Sequence, residues 1–211
     1  MVGLTSVAVK CPGIFKPVHY SLLTINSSLF TFHIVPCLIH KRCFINSFAT
    51  MDTITIRPIA AADNAAMAAI IREALTEFGA NKPGTVYYDP TTDALFQLFQ
   101  TPRSCYYVAE ANGILLGGAG VFPTEGLPPQ VCELVKMYLH KDARGKGLGK
   151  TMIDQCMATA KILGYTQMYL ETMPELEKAV QVYEKFGFQY LDGPMGNSGH
   201  FGCGKWMIKE L

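Results

Sequence analysis

Along most of this chain, apolar residues recur with a period that changes from two to about 3.6 and back. Thr53 to Ile59, TITIRPI, is β-branched and alternating, and it predicts a first or edge strand ending near Pro58. From Asp63, the residues Met67, Ile70, Ile71, Ala74, Leu75 and Phe78 keep the i, i+3, i+4, i+7 spacing of one buried helix face, and Gly79 is a natural stop. NKPGTVYYDPTTD, residues 81–93, reads as a turn-rich connection, followed by a short helix over Ala94 to Phe99. SCYYVAE and ILLGGAGVF flank Ala111-Asn112-Gly113, and Asn-Gly between two apolar runs is a strong hairpin signal. VCELVKMYLH, residues 131–140, is an uninterrupted strand candidate.

The second half continues the alternation. Leu148, Met152, Cys156, Met157 and Ala160 share one face of a helix ending at Gly164. TQMYLETM predicts a strand, Pro174 opens a helix that stops at Gly187, and FQYLD and KWMIKEL predict two final strands. Between those two strands, residues 193–204 hold five glycines. The order βα(α)βββαβαββ defines a mixed α/β (α+β) domain, with antiparallel strands early and helices later.

Residues 1–50 do not share this patterning. They hold Lys10, Lys16, Lys41 and Arg42 and no acidic residue. A secretory signal fits poorly, and Leu22 to Ile39 is too interrupted for a good membrane span. A transit peptide suits the missing acids but not the single arginine. The expectation is an extension, disordered or non-native, read through a mis-chosen start with Met51 as the natural first residue. The folded domain is then 51–211. That body carries 14 basic against 17 acidic residues, a net charge of −3, which argues against nucleic acid as its main partner. Seven cysteines without a C-x-x-C fit a reduced, cytoplasmic protein that uses thiols as small hydrophobes, with no metal site.

The candidate chemistry centres on ARGKGLGKT, residues 143–151. Its end resembles a nucleoside-triphosphate loop, but the required earlier glycine is Arg144. A dinucleotide loop would need glycine at Lys150. The pattern R/Q-x-x-G-x-G/A is satisfied by Arg144, Gly147 and Gly149. Glycines at 145, 147 and 149 would bare successive N–H groups at a helix start, where an anion is held by the main chain and the helix dipole. Lys136, Lys141, Arg144, Lys146 and Lys150 are expected to gather positive charge there.

With the strand CELVKMYL before this loop and VYEKFGF after it, residues 53–211 resemble the GCN5-related N-acetyltransferases, in particular small bacterial-type members. The resemblance implies a central, mostly antiparallel mixed sheet flanked by helices. It also implies acetyl-CoA as co-substrate, without metal. Cofactor contacts are implied at Met137, Tyr138 and Leu139 through the backbone of a splayed strand, and at Arg144, Gly145, Lys146, Gly147, Leu148, Gly149 and Lys150 around the pyrophosphate. It implies Tyr183 as general acid toward the thiolate and Glu133 as general base, with Glu171 a weaker candidate. Tyr183 shares a face with Leu176, Ala179 and Val180, so a core role stays open. Glu133 is either buried with a raised pKa or exposed at a sheet edge. Many relatives carry an asparagine where this chain has Leu176, so no cofactor contact is assigned there.

The expected acceptor is a small-molecule or peptide amine, attacked directly in a ternary complex; no membrane partner is expected, and a homodimer is a family-level expectation. An acyl-cysteine route through Cys132 or Cys203 lacks a paired histidine. The alternatives are a non-catalytic acyl-CoA-binding module and, further off, a nucleotide hydrolase. Residues 81–93 and the glycine-rich segment with His200 are expected to face the acceptor, and Tyr87, Tyr88 and Asp89 to receive a cationic amine.

Overall fold

The computed structural model describes residues 53–211, together with the backbone of two short strands, β1 (Ser6–Val9) and β2 (Val18–Ser21), which pair antiparallel. The expectation of a disordered or non-native 1–50 otherwise lies outside the described residues.

The domain is built on seven strands: β3 (Thr55–Pro58), β4 (Cys105–Ala111), β5 (Ile114–Phe122), β6 (Val131–Leu139), β7 (Gln167–Thr172), β8 (Gln189–Leu191) and β9 (Lys205–Glu210). Their order in the sheet is β3-β4-β5-β6-β7-β9-β8. Every neighbouring pair is antiparallel except β6 and β7. The parallel pair is joined through the helix Leu148–Ile162, as parallel strands need a long crossover. The hairpin expected at Asn112-Gly113 is present. Both residues have positive φ, 52° and 76°, as a tight two-residue turn that follows strand twist requires.

Helices α1 (Asn64–Glu77) and α2 (Leu95–Leu98) cover one face of the sheet, and α3 (Leu148–Ile162) and α4 (Glu177–Lys185) the other. Met67, Ile71 and Leu75 of α1 pack with Leu95, Phe99 and Tyr106, all fully or almost fully buried. Met152, Ile153, Cys156 and Ala160 of α3 pack with Cys132, Met168 and Met207 on the opposite face. Each such aliphatic side chain removed from water contributes about 1.5–3 kcal/mol before entropy is counted. Arg57 on β3 grips Asp63 at 2.7 Å and Glu110 through Nε at 3.0 Å, fixing the entry to α1 against the sheet edge.

Helix α4 begins at Glu177, three residues later than expected from Pro174. Pro174 and Glu175 form a turn closed by Leu176 N–H donating to Met173 O at 3.0 Å, and Glu175 pairs with Lys82 across the chain.

Candidate active site

Strand β6 organises the site through two irregularities. The first is its pairing with β7, which covers only Val131–Glu133 against Gln167–Tyr169. Beyond Glu133 the two strands part, leaving the splay that the sequence could not confirm. The second is a bulge opposite β5: Gly118 pairs with Tyr138, but Gly120 pairs with Val135. Lys136 sits in the bulge with φ of 50°, a left-handed conformation uncommon for a side-chain-bearing residue. The extra residue resets the alternation. Leu134 and Met137 both belong to the α3 face, while Val135 and Lys136 both open on the opposite side.

The bulge is held from behind. Tyr106 Oη donates to Lys136 O at 2.8 Å in a buried bond. It reaches that carbonyl across β5 because residues 118 and 120 are glycines. A Cβ at Gly118 would lie 2.5 Å from the Tyr106 ring, and one at Gly120 would meet Phe99 and Tyr106 at 2.6 Å. The GGAG run of the sequence is thus a slot for an aromatic side chain.

After β6, a 3-10 turn over Lys141–Ala143 leads to the glycine loop and α3. Gly145 and Gly147 have φ of 75° and 83°, and a Cβ at either would meet nothing within 4 Å. Gly147 is the N-terminal cap of α3, and the first bond inside the helix runs from Thr151 N–H to Gly147 O at 3.2 Å. The N–H groups of Leu148, Gly149 and Lys150 therefore face outward from the helix start, as an anion requires. A Cβ at Gly149 would touch Met137 and Leu139 at 3.4 and 3.5 Å, so this glycine lets the helix start close on the splayed strand. Lys141 and Lys146 are exposed beside the loop.

The other three expected cations behave differently. Arg144 forks onto both oxygens of Glu77 at 2.9 and 2.8 Å and donates to Leu139 O at 3.0 Å, bracing the loop against α1. Lys150 pairs with Asp154 one turn along the helix at 2.7 Å. Lys136 does not belong to the loop at all; the bulge turns it to the far side of β6, so the charge expected there is smaller than the sequence implied.

Lys136 points into a cavity of about 480 Å³ on the α1 face of β6. Its side chain is 4% exposed, and Nζ lies 2.5 Å from Asp89 Oδ2, which also lies 3.2 Å from His200 Nε2. Asp89 Oδ1 caps the 3-10 turn Pro90–Ala94 by accepting from Thr91 N at 2.8 Å. Burial by itself would raise the Asp89 carboxyl. The hydrogen bond with His200 and the ammonium of Lys136 outweigh it and hold the carboxyl far below the usual range. Burial pulls the Lys136 ammonium down, against the attraction of Asp89. Asp89 was expected to await a cationic amine. The structure corrects this, because its charge is already matched by Lys136.

Glu133 opens into the same cavity and is 3% exposed. Thr124 donates to its Oε2, leaving Oε1 to the cavity. Burial, reinforced by Glu171 nearby and only partly countered by Thr124 and Lys136, pushes its carboxyl up to about 8. The edge-exposed alternative is removed. Glu171 accepts from Tyr169 Oη at 2.9 Å and Ser198 Oγ at 2.8 Å, so both of its oxygens are occupied.

On the other face, Tyr183 is 7% exposed and packs edge-on against Phe188, with ring centroids 5.9 Å apart. Its hydroxyl donates to the Met137 thioether at 3.8 Å, so the phenol is a core residue with its polar end turned toward the splayed strand. Burial pushes it up to about 12. Cys132 and Cys203 are likewise pushed up to about 12 by burial, which suits neither to be a thiolate nucleophile. Leu176 packs against the α1-side core.

The two segments expected to face the acceptor do meet over this cavity. Gly202 N–H donates to Gly84 O at 2.8 Å, Asn197 N–H to Glu125 O at 2.6 Å, and His200 reaches Asp89. Thr124 was not singled out, Lys136 was expected at the cofactor loop rather than here, and Asp89 and His200 were expected on the acceptor side but not as a pair. Their signal in the sequence is faint: Lys136 is three positions from Glu133, which in a regular strand places the two on opposite faces.

Comparison with known proteins agrees with this geometry. Residues 67–188 match the model of the acetyltransferase (GNAT) family. An uncharacterized N-acetyltransferase of Escherichia coli K12, YjgM, is 37% identical over 79% of this chain and all of its own length. Human N-acetyltransferase 8 is 26% identical over 53% of this chain and 52% of its own. Among solved structures, a GNAT acetyltransferase from Staphylococcus aureus Mu50 superimposes with a TM-score of 0.65, at 19% identity over 75% of this chain and 99% of that one. YncA of Salmonella typhimurium, a putative acetyltransferase solved with acetyl-CoA, gives 0.59, at 22% identity over 75% and 94%. The chain belongs to the GNAT family. It is an acyltransferase that takes its acetyl group from acetyl-CoA. No helix among the described residues is long and apolar enough to cross a membrane.

Proposed function

We propose that the enzyme acetylates an amine held in the β6 cavity by direct attack on acetyl-CoA, with Glu133 as general base and Tyr183 as general acid. The observation that carries this reading is the Glu133 carboxyl: buried, open to the cavity through one oxygen, and poised at about 8. A base near the working pH is ionised often enough and still basic enough to take a proton from an ammonium.

Acetyl-CoA is assigned to the cleft between β6 and β7. The outward N–H groups from Gly145 to Lys150 would take the pyrophosphate, and the backbone of Met137, Tyr138 and Leu139 would take the pantetheine arm. Lys141 and Lys146 add charge, while Arg144 acts by bracing the loop. In the reaction, the acceptor ammonium gives one proton to Glu133, and the freed lone pair attacks the thioester carbonyl. The C–N bond forms and the C–S bond breaks. The thiolate takes a proton from Tyr183, the second proton lost by the nitrogen returns through solvent to restore the phenol, and Glu133 releases its proton to solvent, so amide, thiol and one released proton balance the equation. A backbone N–H of the bulged strand is suited to the transient oxyanion.

Thiol release with acetyl-CoA and a panel of amines and peptides tests the proposal. Glu133→Gln and Tyr183→Phe should each lower kcat by about 10²- to 10⁴-fold with acetyl-CoA affinity retained. Tight acetyl-CoA binding with no release for any acceptor would instead mark a non-catalytic binding module.

A further inference from the structure

The cavity contains a charge imbalance that bears on its substrate. Three acidic side chains line it, Asp89, Glu125 and Glu133, with two basic ones, Lys136 and His200. Both bases lie on the same oxygen of Asp89, and Lys136 is almost wholly buried. Neither is free to receive a carboxylate or phosphate on the acceptor. On the acidic side, Glu133 Oε1 is left open at depth. Glu125 is exposed at the mouth, and its side chain has no hydrogen-bond or ion-pair partner among the described residues. Tyr88, 60% exposed, also lines the opening and can offer its ring to a cation.

On the acceptor reading above, we infer that the substrate is a small aliphatic diamine, with one ammonium delivered to Glu133 and the second held at the mouth by Glu125. When the reacting nitrogen surrenders its charge, Glu125 is the carboxylate still unmatched, so a second cation is what the site lacks. An acceptor carrying a carboxylate meets two cations already committed to Asp89 and, at the mouth, the unmatched charge of Glu125. A cavity of about 480 Å³ suits a molecule of this size.

The test compares putrescine, butylamine and ornithine, which share a four-carbon span and differ by one ammonium or one carboxylate. Thiol release should give a kcat/KM for putrescine several-fold above each of the others, the scale of one favourable exposed charge contact. Glu125→Gln should narrow the putrescine-to-butylamine ratio several-fold, and Glu125→Asp should retain most of it, which separates lost charge from lost fold. Equal values for putrescine and butylamine, a preference for ornithine or a lysine peptide, or an unchanged ratio in Glu125→Gln overturns the diamine assignment and leaves amine acetylation standing. Absence of release with every amine and peptide defeats both.

Discussion

The ammonium of Lys136 and the carboxylate of Asp89 lie 2.5 Å apart, joining the bulge of β6 to the connection that walls the cavity beside it. The contact ties a left-handed residue in the strand to a loop 47 positions earlier. Because Lys136 is buried, Asp89→Asn strands its charge and should cost about 3 kcal/mol in urea denaturation. An apolar replacement of both partners should cost less than either single change. The carboxyl is held below its ordinary value of 3.8, so its contribution is complete above that value and is lost as pH falls below it. Asp89→Asn should accordingly flatten the acid end of the stability curve.

Glu133 has the opposite sign. Its carboxyl is raised from 4.5 to about 8, so the folded protein holds a proton that the unfolded chain has released. Stability should fall as pH rises from about 4.5 through 8, and Glu133→Gln should remove that decline in melting scans. Activity runs the other way, since the base works only when ionised. The acid limb of kcat/KM should sit near 8 and stay there when acceptors of different basicity are exchanged, which distinguishes the enzyme's group from the amine's.

Gly147 has φ of 83° at the cap of α3, and open space lies where a side chain would begin. Gly147→Ala adds about 1–2 kcal/mol of local backbone strain and places a methyl group where the pyrophosphate is assigned. Calorimetry should show acetyl-CoA affinity reduced about tenfold or more, with circular dichroism unchanged. Unaltered affinity in Gly147→Val would refute the assigned cradle.

Tyr106 supports the bulge from across β5. Tyr106→Phe leaves the Lys136 carbonyl buried without its donor and should destabilise by about 1–3 kcal/mol. Gly118→Ala drives a methyl group into the same ring and should destabilise at least as much, with both changes seen as a lower midpoint in thermal unfolding.

Much of the fold was legible along the chain. Periodicity marked each helix and strand of the domain, Asn112-Gly113 marked the hairpin, and Arg144, Gly147 and Gly149 with their flanking elements marked the glycine loop that opens α3. These signals are local, set by backbone geometry and by which side of one element is apolar. The roles considered for Glu133 and Tyr183 came only through resemblance; helical spacing already placed Tyr183 on an apolar face, but which of its two readings Glu133 follows was decided by the fold.

By itself, then, the sequence determined the elements, the family resemblance and a glycine-lined helix start, because those depend on spacings of a few residues. Only the tertiary structure decided that β9 enters between β7 and β8, that Arg144 braces the loop, and that Lys136 leaves it for Asp89. Each of those outcomes turns on contacts between distant residues or on a single-residue bulge. A bulge reverses which face every later side chain occupies, and no pattern of apolar and polar positions announces where it falls.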